Sequence, residues 1–173
     1  ASRIARLCRG AGALLIVNDD ARLAAEIGAD GVHLGRDDGG VAEARAVVGS
    51  EAIIGVSCYD QIALAIEARR EGADYVAFGS FFASSVKPHA VRPPISLLAH
   101  ARRALGCPIV AIGGITLERA SGLVSAGADA LAVISDIFDA PDVQARASAY
   151  SQLFGQAPDD IGNARNDDHD LTQ

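Results

Sequence analysis

Short apolar runs rich in β-branched residues recur along the chain, at ALLIV (13–17), IIGVS (53–57) and PIVAI (108–112). None alternates cleanly between apolar and polar positions, which predicts strands buried on both faces, as parallel strands are. Three further segments share one design: EIGADGVHLG (26–35), REGADYVAFG (70–79) and SAGADALAVI (125–134). In each, a helical stretch ends at Gly28, Gly72 or Gly127, and Ala-Asp then leads into a short apolar strand. Glycine suits the left-handed residue that closes a helix, and the aspartates are expected to shape the turn. Helices are predicted over roughly 20–27, 40–48, 60–71, 94–105, 117–126 and 141–154. Within YDQIALAIEARREG, for example, Ile62, Ala65, Ile66 and Arg69 keep helical spacing.

Strand and helix therefore alternate six times with short connections, which implies a parallel sheet with helical crossovers. A doubly wound sheet and a barrel compete. No Gly-rich dinucleotide fingerprint follows the first strand. Polar residues and glycines instead collect after nearly every strand, as NDD, GRDD, SCYD, GSFFASSVK, GGIT and SDI. A barrel builds its site from all of its C-terminal strand ends, so the expected fold is α/β, a (β/α)8 TIM barrel. Six strands are expected here, and the first two β-α units are expected to be lacking. The opening SRIARLCRGAG reads as the last turns of a helix before a strand. Residues 1–154 would form the barrel domain, and 155–173, with almost no apolar content, an acidic disordered tail.

Composition narrows the function. The net charge of −7 argues against nucleic acid as a main partner. The three cysteines form no paired spacing, which predicts a reducing compartment. No apolar run approaches the ~20 residues of a membrane span, and the N-terminus is too polar for a secretory signal. A cytoplasmic protein acting on small molecules is expected. Six units would leave both sheet edges open, which predicts self-association.

Asn18 and Asp19 fall at the end of the first strand, and Asp37 and Asp38 just past the next. Carboxylates on adjacent strand ends can share a hard cation such as Mg²⁺, which commonly uses one or two protein carboxylates, waters and substrate phosphate oxygens. Asp19 or Asp20 could equally cap the following helix, and one acid can cap while the other binds metal. Gly113 and Gly114 in AIGGIT, with Ser135 in AVIS, suit a phosphate held after the last two strands, although the glycine pair alone could be a tight turn. The segment GSFFASSVKPHAVRPP (79–94) is long enough to act as a lid, and Lys87 within it could neutralise phosphate charge. Ser57 ends IIGVS at the same rim, with helix capping as its alternative. His33 in GVHLG reads as a packed strand residue. Cys58 has no His or Lys beside it in sequence to activate it.

In this order, LLIVNDD, GADGVHLGRDD, IIGVSCYD, GADYVAFGSFF, AIGGIT and GADALAVIS closely resemble the thiamine-phosphate synthase family, over roughly residues 3–154. That family uses a (β/α)8 barrel and Mg²⁺. It joins a pyrimidine diphosphate to a thiazole phosphate, releasing pyrophosphate. The resemblance implies Asp19 and Asp38 as Mg²⁺ ligands. It implies Asn18, Ser57 and Lys87 as residues that hold the pyrimidine diphosphate, with Lys87 and Ser57 in the catalytic role. Ser84, Ser85, Val86, Gly114, Ile134 and Ser135 would meet the thiazole phosphate. The family usually carries Thr-x-Thr-Lys where this chain has SSVK, so Val86 loses a hydroxyl. Its early Gln-x-Arg-x-Lys-like segment has no counterpart here. Two other readings accompany the synthase: a thiazole tautomerase, and a catalytically degenerate paralogue that binds thiazole or thiamine phosphate.

Overall fold

A computed structural model of the chain describes residues 1–83 and 91–155. The helix α1 (Ser2–Gly10) comes first. Then follow β1 (Ile16–Asn18), α2 (Ala21–Ile27), β2 (Gly31–Leu34), α3 (Val41–Val48), β3 (Ile53–Tyr59), α4 (Ile62–Arg70) and β4 (Tyr75–Gly79). The second half contains α5 (Ser96–Ala104), β5 (Ile109–Ile112), α6 (Leu117–Ser125), β6 (Ala130–Ala132), the single-turn α7 (Ser135–Phe138) and α8 (Val143–Gln152). The six strands form one sheet in the order β1-β2-β3-β4-β5-β6, every neighbour parallel. It is curled as a half-barrel. The proposed tail at 155–173 lies outside the described residues except for Gly155.

The strand period of two splits the sheet into two faces. Val32, Leu34, Ile54, Val76, Phe78, Ile109 and Ala111 join Leu98 and Leu123 of the helices in one buried core. Full burial of each large apolar side chain contributes about 1.5–3 kcal/mol. The alternate positions, including His33, Gly55, Ser57, Tyr75, Val110 and Ala132, belong to the opposite, inner face.

The Gly-Ala-Asp repeats do more than shape turns. Asp30 donates its backbone N–H to the Leu15 carbonyl at 2.9 Å, and its carboxylate accepts the Leu15 N–H at 2.7 Å. Asp74 makes the same reciprocal pair with Ile54, both bonds at 2.7 Å. Asp129 makes it with Ile109, at 2.8 and 2.9 Å. Each repeat thus stitches the foot of its own strand to the strand before it. Arg45 and Arg102 add ion pairs to Asp74 and Asp129 at 2.8 and 2.6 Å. Gly28 closes α2 at φ 63°, ψ 47°, the left-handed geometry that glycine adopts without a Cβ clash.

The predicted helices stand within a few residues of their expected bounds. The first strand does not. ALLIV was expected as a strand buried on both faces, but pairing begins only at Ile16 and Leu14 is 67% exposed. β1 is an edge strand with β2 as its neighbour, so it lacks the cover that a central strand receives on its other side. The same holds for β6, whose Ala130 and Ala132 are exposed.

Candidate functional site

The C-terminal strand ends carry two groups of polar residues. The first spans β1 to β4. Asn18 is the last residue of β1 and is aligned with His33 of β2. Asp19 then turns to φ 69° while donating its N–H to the His33 carbonyl at 2.8 Å. Aspartate tolerates this left-handed conformation better than most residues. The kink separates the roles of the two acids. Asp20 caps α2 by accepting the Leu23 N–H at 2.9 Å, whereas Asp19 stays exposed at the rim. After β2, Asp38 accepts the Gly35 N–H at 2.7 Å through Oδ2, which draws the loop back over its own strand end. Asp37 points to solvent.

Ser57 caps no helix; the N-cap of α4 is Gln61. Its Oγ instead lies 2.9 Å from His33 Nε2, and His33 Nδ1 lies 2.9 Å from the Tyr75 hydroxyl. The His33 and Tyr75 rings stack, with centroids 5.6 Å apart and planes at 23°. Register explains how residues on β2 and β4 meet across β3. His33, Gly55 and Tyr75 are aligned in successive strands, and a Cβ on Gly55 would overlap the Tyr75 ring. Burial pushes the Tyr75 hydroxyl up to about 12, so it keeps its hydrogen at neutral pH. Tyr75 escaped the sequence reading, and His33, expected as a packed strand residue, is half-buried with Tyr75 and Ser57 as neighbours. The available signal was a polar side chain at an inner-face position within each apolar run.

The second group lies after β5 and β6. Gly114, at φ 62°, packs so tightly on the preceding loop that an added Cβ would overlap the Ala83 carbonyl and sit 2.7 Å from that of Phe82. Phe81 and Phe82 donate their N–H groups to Ile112 and Gly113 at 3.1 Å each, so this segment extends beside β5. The Ser80 N–H donates to the Val91 carbonyl at 3.1 Å. Ser84, Ser85, Val86 and Lys87 lie outside the described residues. Ile134 is 66% exposed and Ser135 opens α7 beside it. Asn18, Asp19, Asp38 and Ser57 are therefore gathered on three adjacent strand ends, and Gly114, Ile134 and Ser135 on two others.

Among the described residues no group of three or more His, Cys, Asp or Glu side chains converges as a metal site. Asp19 and Asp38, two carboxylates on adjacent strand ends, are residues of the type that could hold a hard cation shared with phosphate oxygens. Nucleophilic chemistry at Cys58 is disfavoured. Cys58 is fully buried, and that burial, with Cys107 as a second contribution, pushes its thiol up to about 12.

These features define a parallel α/β half-barrel whose polar site lies along the C-terminal strand ends. A family profile described as thiamine monophosphate synthase matches residues 1–137. The chain is 60% identical over 154 residues to the thiamine-phosphate synthase of Azoarcus sp., covering 89% of this chain and 75% of that one. It is 54% identical over 160 residues to that of Thiobacillus denitrificans, covering 92% and 76%. Among solved structures, thiamine phosphate pyrophosphorylase from Pyrococcus furiosus superposes with a TM-score of 0.80 at 31% identity, over 89% of this chain and 73% of that one. The chain belongs to the thiamine monophosphate synthase family.

Proposed function

We propose that the protein is a transferase that joins 4-amino-2-methyl-5-(diphosphomethyl)pyrimidine to thiazole phosphate, giving thiamine phosphate and pyrophosphate. The observation that carries this reading is the 60% identity to the Azoarcus enzyme. The site chemistry agrees with it. The C–O bond between the pyrimidine methylene and the diphosphate breaks, and its electron pair leaves with pyrophosphate. The thiazole nitrogen lone pair then forms the new C–N bond. No strong base or nucleophile is required, and charge neutralisation on the leaving group dominates.

Asp19 and Asp38 would hold Mg²⁺, with the Gly35 N–H fixing the Asp38 carboxylate over its strand end. When bound, the ion would neutralise charge on the diphosphate. Lys87 and Asn18 would hold that diphosphate. Ser57 would face the pyrimidine. With the His33 hydrogen on Nε2 and Tyr75 donating to Nδ1, Ser57 Oγ would accept from His33 and its own hydroxyl hydrogen would be available to the substrate. Ser84, Ser85, Val86, Gly114, Ile134 and Ser135 would meet the thiazole phosphate.

The six units are read as part of a (β/α)8 barrel. The chain spans 75% of the Azoarcus enzyme's length. In the described sheet β1 and β6 are the edges, and if they stay unpaired self-association through them is expected. Small phosphorylated substrates and a cytoplasmic setting suit this chemistry. No helix among the described residues is long and apolar enough to cross a membrane.

The test mixes the chain with both substrates and Mg²⁺ and assays thiamine phosphate, with Asp19→Ala and Asp38→Ala alongside. Product that disappears in both variants is expected. Equal product from all three proteins would remove these carboxylates from the mechanism.

A further inference from the structure

Asp136 is the second residue of α7, next to Ser135. Its Oδ2 accepts from three donors on two other helices: the Leu117 N–H at 3.2 Å, Arg146 Nη1 at 3.2 Å and the Tyr150 hydroxyl at 2.7 Å. Leu117 opens α6, and the N-cap of that helix, Thr116, makes no side-chain capping bond. An orphan N–H at a helix start needs a partner, and here the partner comes from the next β-α connection. The Asp136 side chain is 17% exposed and its charge is met by Arg146. Burial, followed by the Asp136 carboxylate, raises the Tyr150 hydroxyl further above its ordinary value, so it stays protonated and donating.

α6 begins directly after Gly113, Gly114, Ile115 and Thr116, and α7 begins directly after Ile134. These connections follow neighbouring strands, β5 and β6, and Asp136 joins them through its bond to the Leu117 N–H, while Arg146 and Tyr150 of α8 hold the same carboxylate oxygen. We propose that Asp136 is a positioning residue that ties the loop after β5 to the loop after β6 and thereby sets the affinity for thiazole phosphate. The ligand part of this inference rests on the reading of Gly114 and Ser135 as phosphate contacts. Donors on two separate loops grip one phosphate only if both loops hold their relative position, and displacement of about 1 Å is costly at such a site. Because Oδ2 already accepts three donors, Asp136 contributes through the loops and makes no contact with the phosphate itself.

The experiment uses the full chain with Asp136→Ala, Asp136→Asn and Tyr150→Phe. Titration calorimetry measures thiazole phosphate and pyrimidine diphosphate separately, and amide hydrogen exchange follows residues 113–117 and 134–138. Loss of a charge-assisted bond predicts about tenfold weaker thiazole phosphate binding in Asp136→Ala, and about two- to threefold in Tyr150→Phe. Pyrimidine diphosphate affinity should stay within about twofold, since its proposed contacts lie on other strand ends. Exchange should quicken on both loops together. Equal weakening of both ligands in step with Tm would make Asp136 merely structural and overturn the proposal, as would unchanged exchange on the loop after β5. If the unaltered chain binds pyrimidine diphosphate but no thiazole phosphate, the reading of the phosphate loops falls, while the exchange data still decide whether Asp136 couples them. Tyr150→Phe, which removes one donor and keeps the carboxylate, decides the matter if Asp136→Ala does not fold.

Discussion

The feet of the strands and their C-terminal ends use aspartate in opposite ways. At the feet, Asp30, Asp74 and Asp129 each exchange two hydrogen bonds with the preceding strand, and two of them add an arginine. Their carboxylates are committed to holding neighbouring strands in register. At the rim, Asp19 and Asp38 sit on turns, one in a left-handed conformation and the other folded back on Gly35. Residue type alone does not separate a structural acid from a functional one. What differs is where the partner lies: each foot acid bonds across to the preceding strand, whereas Asp38 bonds within its own loop.

The sharpest way to break this contrast is to remove an acid from each region. Asp19→Ala and Asp38→Ala should each lower thiamine phosphate formation by about 100-fold or more, since a bound metal contributes several kcal/mol of charge stabilisation. Tm should move little in either variant. A loss of activity that tracks a loss of Tm would erase the distinction.

Asp74→Ala should behave in the opposite way. It leaves the N–H of the fully buried Ile54 without its acceptor, at a cost of about 1–3 kcal/mol. Denaturant unfolding should show this, and the larger part of the loss should persist in salt because the Ile54 bond is sheltered. Asp30→Ala, at the edge strand and without an arginine partner, should cost less.

Glycines test the packing behind the rim. Gly55→Ala would drive a methyl group into the Tyr75 ring and separate Tyr75 from His33. Overpacking of this kind costs about 1–3 kcal/mol. Thiamine phosphate formation should fall beyond what the stability loss explains, because Ser57 loses the partner that orients it. A Gly55→Ala protein with normal activity would remove the His33 and Tyr75 pair from any role.

The smallest expected effect lies in acid. Partial burial opposes ionisation of Asp74, but the Ile54 N–H, Arg45 and Arg69 outweigh it and hold the carboxyl below its ordinary 3.8. A folded value below the unfolded one contributes stability that is fully present above the unfolded value and is lost as pH falls through the folded one. Asp74→Asn should therefore flatten the decline of stability below pH 3.8. An unchanged acid limb in urea titrations would show that the foot acids carry no charge-dependent stability.

Alternation of strand and helix, the number of units and the placement of acids after the first two strands were legible in the sequence. Those signals are local: apolar runs of strand length, helical spacing between them, and Gly-Ala-Asp at three helix ends. The start of β1 was misplaced because an apolar run reports what can be buried, whereas pairing with β2 decides what is strand. Only tertiary structure decided which acid of NDD caps α2, since that depends on the turn at Asp19. The bond between Asp74 and Ile54, 20 residues apart, follows from strand register. So does the meeting of His33 and Tyr75, 42 residues apart across Gly55. Local chemistry therefore determined the elements and supplied the candidate acids. Register between neighbouring strands, which no single segment contains, decided which of them became ties and which were left at the rim.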